Sequence, residues 1–207
     1  MNKVIDPKEK SPLNASHRCP TGIGSDESCD SVLLYRFIER QDDAAFSLLA
    51  NRYAALVYSA CRRNSRSDKD AEDAANECLF LFSRSASRIT GSIPSWLYVV
   101  ATRLAMRRLL RDRRRETTSI HALITEPIAP DPQANSEPSP DIDRILVALP
   151  EQHRTILVLH FLVGKNQEEI ARELGLSRPT VSRRIRDGLA LLRKTHDLHG
   201  RDILSHS

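Results

Sequence analysis

The residues best spaced for chemistry are arginines, and the chemistry they suit is recognition of a polyanion. Within NQEEIARELGLSRPTVSRRIRDGLALLRK, residues 166–194, Pro179, Ser182, Arg183 and Arg186 have the spacing of one helical face, with Arg178 and Thr180 at its start. A helix with this face fits the major groove of duplex DNA, where arginine pairs with guanine edges or with phosphates. Its free N-terminal N–H groups can also meet a phosphate. A second series, Arg103, Arg107, Arg111 and Arg114, recurs along one side of an upstream helical segment and suits a phosphate track. A third group is acidic: Asp70, Asp73 and Glu77 fall on one helical face. No Gly-rich phosphate loop, nucleophile–base arrangement or metal-ligand cluster is recognisable, so no catalytic or metal-binding residue is assigned and no cofactor is expected.

The elements that must position the first arginine face read as two helices joined by a tight turn. Ile170, Ala171 and Leu174 face inward from the first helix, and the small Ala171 lets the second approach. Gly175 follows the last turn, where a left-handed backbone is needed. Ser177 is placed to cap the second helix and Pro179 is tolerated in its first turn. Val181, Ile185, Leu189 and Leu192 form its buried stripe. The spacing Gln167-x3-Ala171-x3-Gly175 followed by Thr180–Val181 is more specific to a helix-turn-helix than any single amphipathic helix. Glu168, Glu169 and Glu173 lie on the supporting helix and are expected to face away from DNA.

Upstream, the pattern predicts a helix containing Leu33, Leu34, Phe37 and Ile38, then one over about 43–63 with Phe46, Leu49, Tyr53, Leu56, Val57 and Ala60 inward. Asn64–Ser67 interrupt it. Ser67, with Asp70 three residues on, caps a third helix whose stripe is Ala71, Ala74, Ala75, Cys78 and Phe82. Arg84–Ser95 read as a loop, and Ser95–Arg115 as a fourth helix with Leu97, Val100, Ala101 and Leu104 inward. A further helix holds Ile142, Ile145, Leu146 and Leu149. Pro150 starts the next, with Ile156, Leu157, His160 and Phe161 on its apolar face and Gly164 at its end.

The expected fold is all-α: two small helical domains, residues 31–115 and 141–195, joined by a flexible proline-rich linker over 116–140, the second being the helix-turn-helix domain. Residues 1–30 and 196–207 read as tails. Only 7 glycines and 5% aromatics in 207 residues favour helices over sheets. The net charge of +4 hides alternating blocks. Trp96–Arg115 carries seven arginines against Asp112 alone, whereas Thr117–Asp143 carries five acids and no Lys or Arg. The four cysteines make no CxxC pair. They read as free thiols, buried at Cys61 and Cys78, and His17, Cys19 and Cys29 lack a fourth ligand. No apolar run reaches membrane-spanning length and no signal peptide is recognisable, so a cytoplasmic protein without membrane insertion is expected.

The segment LPEQHRTILVLHFLVGKNQEEIARELGLSRPTVSRRIRDGLALLRK, from Leu149, closely resembles region four of bacterial sigma factors, with Leu149–Pro150, Thr180–Val181 and Arg184 matching. DAEDAANECLFLFSRS, from Asp70, and SWLYVVATRLAMRRLLRDRRR, from Ser95, resemble region two. Two such regions joined by a linker look like the extracytoplasmic-function group. The resemblance implies that Asp70, Asp73, Asn76 and Glu77 dock on core RNA polymerase. It implies that Arg103, Arg107, Arg111 and Arg114 approach the minus-ten promoter element, with a base-receiving loop at Ser87–Ser95. It assigns Arg178, Thr180, Ser182, Arg183 and Arg186 to the upstream element. Trp96, just past the loop, suits stacking on a base, but its apolar spacing favours the core. The chain departs from the family pattern at Val99 and Thr102–Arg103.

The implied partners are core RNA polymerase and promoter DNA, with an anti-sigma factor as a candidate. The competing reading is a helix-turn-helix regulator that acts without being a polymerase subunit, its first domain sensing a ligand or dimerising. An enzyme acting on nucleic acid would need a second acidic cluster beside Asp70, and none is evident. In the family the linker threads the channel later used by nascent RNA. Glu126, Asp131 and Glu137 are therefore candidates to mimic RNA there, or simply to keep the segment soluble.

Overall fold

Short polar interruptions with good caps set where each helix begins. The structure, a computed structural model, describes residues 29–89, 91–122 and 140–204. Helix α1 spans Asp30–Arg40 and α2 Asp43–Arg63. The Asp42 carboxylate accepts the N–H groups of Ala44 and Ala45 and pairs with Arg36, which holds its pKa below the usual carboxylate value. Helix α3 spans Asp68–Ser85, and the Ser67 hydroxyl accepts the Asp70 N–H at 3.1 Å, as the Ser67–Asp70 spacing predicts. A 3-10 turn over Ala86–Arg88 leads to α4, Ile93–Ala122.

In the second lobe α5 spans Pro140–Ala148, α6 Glu151–Leu157, α7 Gln167–Leu174 and α8 Arg178–Leu204. A π-helical turn over Val158–Leu162 continues α6, its closing bond running from Val163 N–H to Val158 O at 3.0 Å. The wide turn keeps Val158 and Leu159 buried and leaves Phe161 exposed. Among the described residues every regular element is helical.

Two helices run further than their sequence patterns indicate. Helix α4 continues past Arg115 to Ala122, into the stretch the composition assigns to the linker, because no Gly or Pro follows until Pro127. Helix α8 continues past Lys194 to Leu204, into the assigned tail. The linker acids Glu126, Asp131 and Glu137 lie outside the described residues, as do His17 and Cys19.

The first lobe packs α1 to α4 around a core in which the predicted α3 stripe, Ala71, Ala74, Ala75, Cys78 and Phe82, is buried throughout. Phe82 sits at its centre, with ring centroids 5.6 Å from Phe46 and 6.0 Å from Trp96. Trp96 therefore belongs to the core side of the helix, as its spacing suggests. Cys61 and Cys78 are free and fully buried. Burial pushes both thiols up to about 12, which suits packing and not reactivity. Cys29 is disulfide-bonded, which corrects the reading of all four cysteines as free thiols.

The two lobes share one connected apolar core, in which Leu146, Leu149 and Ile156 join the first lobe's buried residues. At the boundary lies a carboxylate. Asp143 of α5 is only 5% exposed. It accepts hydrogen bonds from Arg63 Nε at 3.0 Å and Nη2 at 3.1 Å, Asn64 Nδ2 at 2.8 Å and Tyr98 Oη at 2.5 Å. All these donors belong to the first lobe. Burial, then the Asp143 charge, pushes the Tyr98 phenol well above its ordinary pKa, so it remains a donor.

Truncating the central ring tests this packing. Phe82→Ala is expected to lower stability by about 3–5 kcal/mol, read as a shifted urea midpoint in circular dichroism. A loss below about 1 kcal/mol would mean that the ring is not the core's centre.

Candidate nucleic-acid interface

The geometry of α7 and α8 follows from three local devices. Asn166 forms a capping box: its side chain accepts the Glu168 and Glu169 N–H groups, while Glu169 accepts the Asn166 N–H at 2.7 Å. Gly175 ends α7 at φ +63°, where a side chain would be strained. The Leu176 N–H then reaches back to Ala171 O at 2.8 Å. Ser177 caps α8, accepting the Thr180 N–H at 3.3 Å and sharing a hydroxyl hydrogen bond with Thr180 at 2.8 Å.

With Val181 and Ile185 buried, Arg178, Ser182, Arg183 and Arg186 are exposed together on the opposite side of α8. Thr180 is half-buried and its hydroxyl is engaged by the cap. Of the three acids expected to face away, Glu173 pairs with Lys165 and Glu169 with the cap. Glu168 lies 3.8 Å from Arg178. Both groups are well exposed, so a phosphate can displace this pair at little cost.

Helix α6 crosses α8 at Gly188, a position the sequence motif does not single out. A Cβ there would lie 3.1 Å from Leu157 and 3.3 Å from His153. The His153 ring meets the Arg184 carbonyl through Nδ1 at 3.2 Å. The arginine face is thus held by a close helix crossing as well as by its own turn.

On α4, Arg103, Arg107 and Arg111 are exposed, and the Arg114 side chain lies outside the described residues. Of the residues that depart from the family pattern, Thr102 is fully buried and Val99 is half-buried against the core, whereas Arg103 is exposed. Arg108, which falls between the exposed arginines, turns instead toward α3, bonding Asp73 at 3.3 Å and Glu77 at 2.9 Å. Those carboxylates raise the pKa of its guanidinium against its partial burial. Asp73 and Asn76 remain exposed on α3 and Glu77 is half-buried.

Asp70 is tied to its cap serine at 2.6 Å and, with Arg108, Arg111 and Asp112, lines an open cavity of about 200 Å³. The acidic and basic faces of the first lobe therefore meet along one edge. The sequence pattern separates them because their pairing joins residues 31 and 35 positions apart. Among the described residues no group of three or more His, Cys, Asp or Glu is placed to hold a metal ion, and no helix is long and apolar enough to cross a membrane.

The loop before α4 is approached by the second lobe. A Cβ at Gly91 would lie 2.3 Å from Glu151 Oε1, so that carboxylate lies directly against the loop backbone. Beside it, Arg154 donates to the Val147 and Leu149 carbonyls, both at 2.9 Å, closing the end of α5. Burial lowers the Arg154 pKa; Glu151 opposes this, and Arg103 across the lobe boundary adds to it. Glu151, Arg154 and Asp143 carry no motif that would mark them in sequence.

The Arg108 pairs are partly solvated and should contribute little to folding. Arg108→Ala is expected to cost less than about 1 kcal/mol in a urea melt. A loss above about 2 kcal/mol would instead mark a structural ion pair.

Comparison with known proteins gives two family matches. The model described as Sigma-70 region 2 matches residues 49–116, and that described as Sigma-70, region 4 matches residues 145–194. Together they span more than half of the chain. The chain is 29% identical over 170 residues to "ECF RNA polymerase sigma factor SigM" of Mycobacterium tuberculosis, covering 80% of this chain and 85% of that protein. It is 25% identical over 171 residues to "ECF RNA polymerase sigma factor SigW" of Bacillus subtilis, covering 76% and 91%. Among solved structures, "Structure of CnrH in complex with the cytosolic domain of CnrY" aligns over 82% of this chain and 97% of that chain, with 22% identity and a TM-score of 0.39.

Proposed function

The chain belongs to the sigma-70 family, in its extracytoplasmic-function group, and on that premise we propose that it binds core RNA polymerase and directs initiation at particular promoters. The observation that carries this reading is the presence of both regions, in order, on one chain whose α8 exposes an arginine face. In this reading α8 lies in the major groove of the upstream element. Arg183 and Arg186 contact base edges or phosphates there, and Arg178 and Ser182 flank them. Arg103, Arg107, Arg111 and Arg114 run along the minus-ten side, where phosphate attraction is strong and sequence-independent. Asp73, Asn76 and Glu77, with Asp70 at the edge, form the face that docks on polymerase.

The protein supplies no catalytic group. It acts by adding DNA-recognition energy to an enzyme that has the chemistry, which places it in the cytoplasm. An anti-sigma factor is a further candidate partner. A stand-alone regulator would use α7 and α8 in the same way, but it gives no role to the region-two match or to the acidic face.

Reconstituted transcription tests the reading. Core polymerase supplied with this protein should start RNA at a defined set of sites on genomic DNA, mapped by the transcripts' 5′ ends. Arg183→Ala or Arg186→Ala should reduce initiation. A lost base contact costs about 1–3 kcal/mol and relaxes one promoter position, whereas a lost phosphate contact weakens all sites alike. Undiminished initiation in both folded variants would reject the α8 face.

Docking is tested separately. Asp73→Lys with Glu77→Lys reverses two charges and places them beside Arg108, so co-purification with core polymerase should fall sharply while the circular dichroism spectrum stays helical. Normal recovery with polymerase would reject the acidic face as the docking surface.

A further inference from the structure

One arginine of the α4 series does not behave like the rest. Arg103, Arg107 and Arg111 are exposed, whereas Arg108 turns toward α3 and its side chain is 26% exposed. It donates from Nη1 to Asp73 Oδ2 at 3.3 Å and from Nη2 to Glu77 Oε2 at 2.9 Å. Its Nε is buried and has no hydrogen-bond partner among the described residues. A guanidinium held in this way gives up hydration that the two carboxylates only partly replace.

Cohesion of the lobe does not call for this arrangement. Helices α3 and α4 are already joined by packing, with the Phe82 ring 6.0 Å from Trp96 and the Cys78 thiol donating to the Leu97 carbonyl at 3.6 Å. Partly solvated ion pairs add little to such a contact.

What Arg108 does alter is the acidic face itself. Asp73 and Glu77 stand four positions apart on α3, where like charges repel. One planar group with two donor arms draws them together and sets the spacing between them. It reaches them from the α4 side and engages one oxygen of each. The Asp73 and Glu77 side chains stay 54% and 41% exposed, so both remain open to a partner. Asp70, the third acid of this face, is held in turn by the Ser67 hydroxyl at 2.6 Å.

We propose that Arg108 is a positioning residue for docking on core RNA polymerase, holding the Asp73 and Glu77 carboxylates at the spacing that a basic surface of the polymerase meets. The proposal rests on the docking role given to these acids above. It assigns Arg108 to the protein partner and not to the phosphate track in whose series it falls. Carboxylates set in place beforehand need no ordering at the moment of association, which lengthens the life of the complex more than it speeds its formation. Removing the guanidinium therefore acts oppositely on the two rates. The face becomes more negative, which favours encounter, but its carboxylates are no longer held, which hastens release.

Binding of the full-length protein to immobilised core RNA polymerase, with association and dissociation followed separately at one ionic strength, tests this. Arg108→Ala should dissociate at least about fivefold faster while associating no more slowly than the wild type. Arg108→Lys keeps the charge but replaces the two-armed fork by a point charge, so it should still dissociate at least about threefold faster. Dissociation of Arg108→Ala at the wild-type rate or more slowly would overturn the proposal, because the arginine would then be idle or a competitor of the polymerase. Full rescue by lysine would overturn it as well, since charge alone would then suffice. Should Arg108→Ala shift the urea midpoint strongly, Arg108→Lys decides by the same rates.

Asp73→Lys with Glu77→Lys separates the proposal from the reading beneath it. Undiminished binding of that variant would remove the docking face and the proposal together. Weakened binding of that variant, with wild-type rates in both Arg108 variants, would remove the proposal alone.

Discussion

A single buried carboxylate governs how the two halves of this molecule meet. Asp143 has left water for a site where a guanidinium, an amide and a phenol replace it, all from the other lobe. Desolvating such a group is costly, and the cost is offset only in one arrangement of α2, α4 and α5. The rest of the second lobe follows from that arrangement. Pro150 turns the chain into α6, Leu157 and His153 of α6 meet α8 at Gly188, and α8 carries the arginine face outward. Apolar burial supplies most of the adhesion across the boundary, since Leu146, Leu149 and Ile156 belong to the common core. It does not by itself choose the register; the carboxylate does.

The charged surfaces show a corresponding division. Arg178, Arg183 and Arg186 of α8 are exposed, and Glu168 holds Arg178 only weakly. On α4 the series is broken, because Arg108 is spent on Asp73 and Glu77 while Arg103, Arg107 and Arg111 stay exposed. The acidic face of α3 is thereby partly compensated but keeps Asp73 and Asn76 accessible. A protein that meets both nucleic acid and a protein partner is served by separate basic and acidic faces, each complementary to its own partner.

Much of this is legible from local spacing, and the remainder is not local. The α3 stripe, the Ser67 and Ser177 caps and the left-handed Gly175 are each specified within a few residues, so periodicity and capping rules find them. The inward side of Trp96 follows from the same argument. The partners of Asp143 are not of this kind. Arg63 lies 80 positions before it and Tyr98 45, and nothing near Asp143 distinguishes it from the other acids of the 117–143 stretch. Arg108 is hidden for a related reason: one arginine among seven looks like its neighbours until the packing of α4 on α3 turns it inward. The end of α4 is missed because the chain carries no Gly or Pro until Pro127, and absence of a stop signal is weaker information than its presence; α8 runs on through Gly200.

The account turns on the Asp143 contact that fixes the second lobe on the first. The most direct measurement is the distance between labels at Ala55 on α2 and Ala190 on α8, both exposed, by pulsed dipolar spectroscopy in the wild type and in Asp143→Ala. The account predicts one narrow distance in the wild type and a broader, longer distribution in Asp143→Ala. A broad distribution in the wild type, or an unchanged narrow distance in Asp143→Ala, would contradict it.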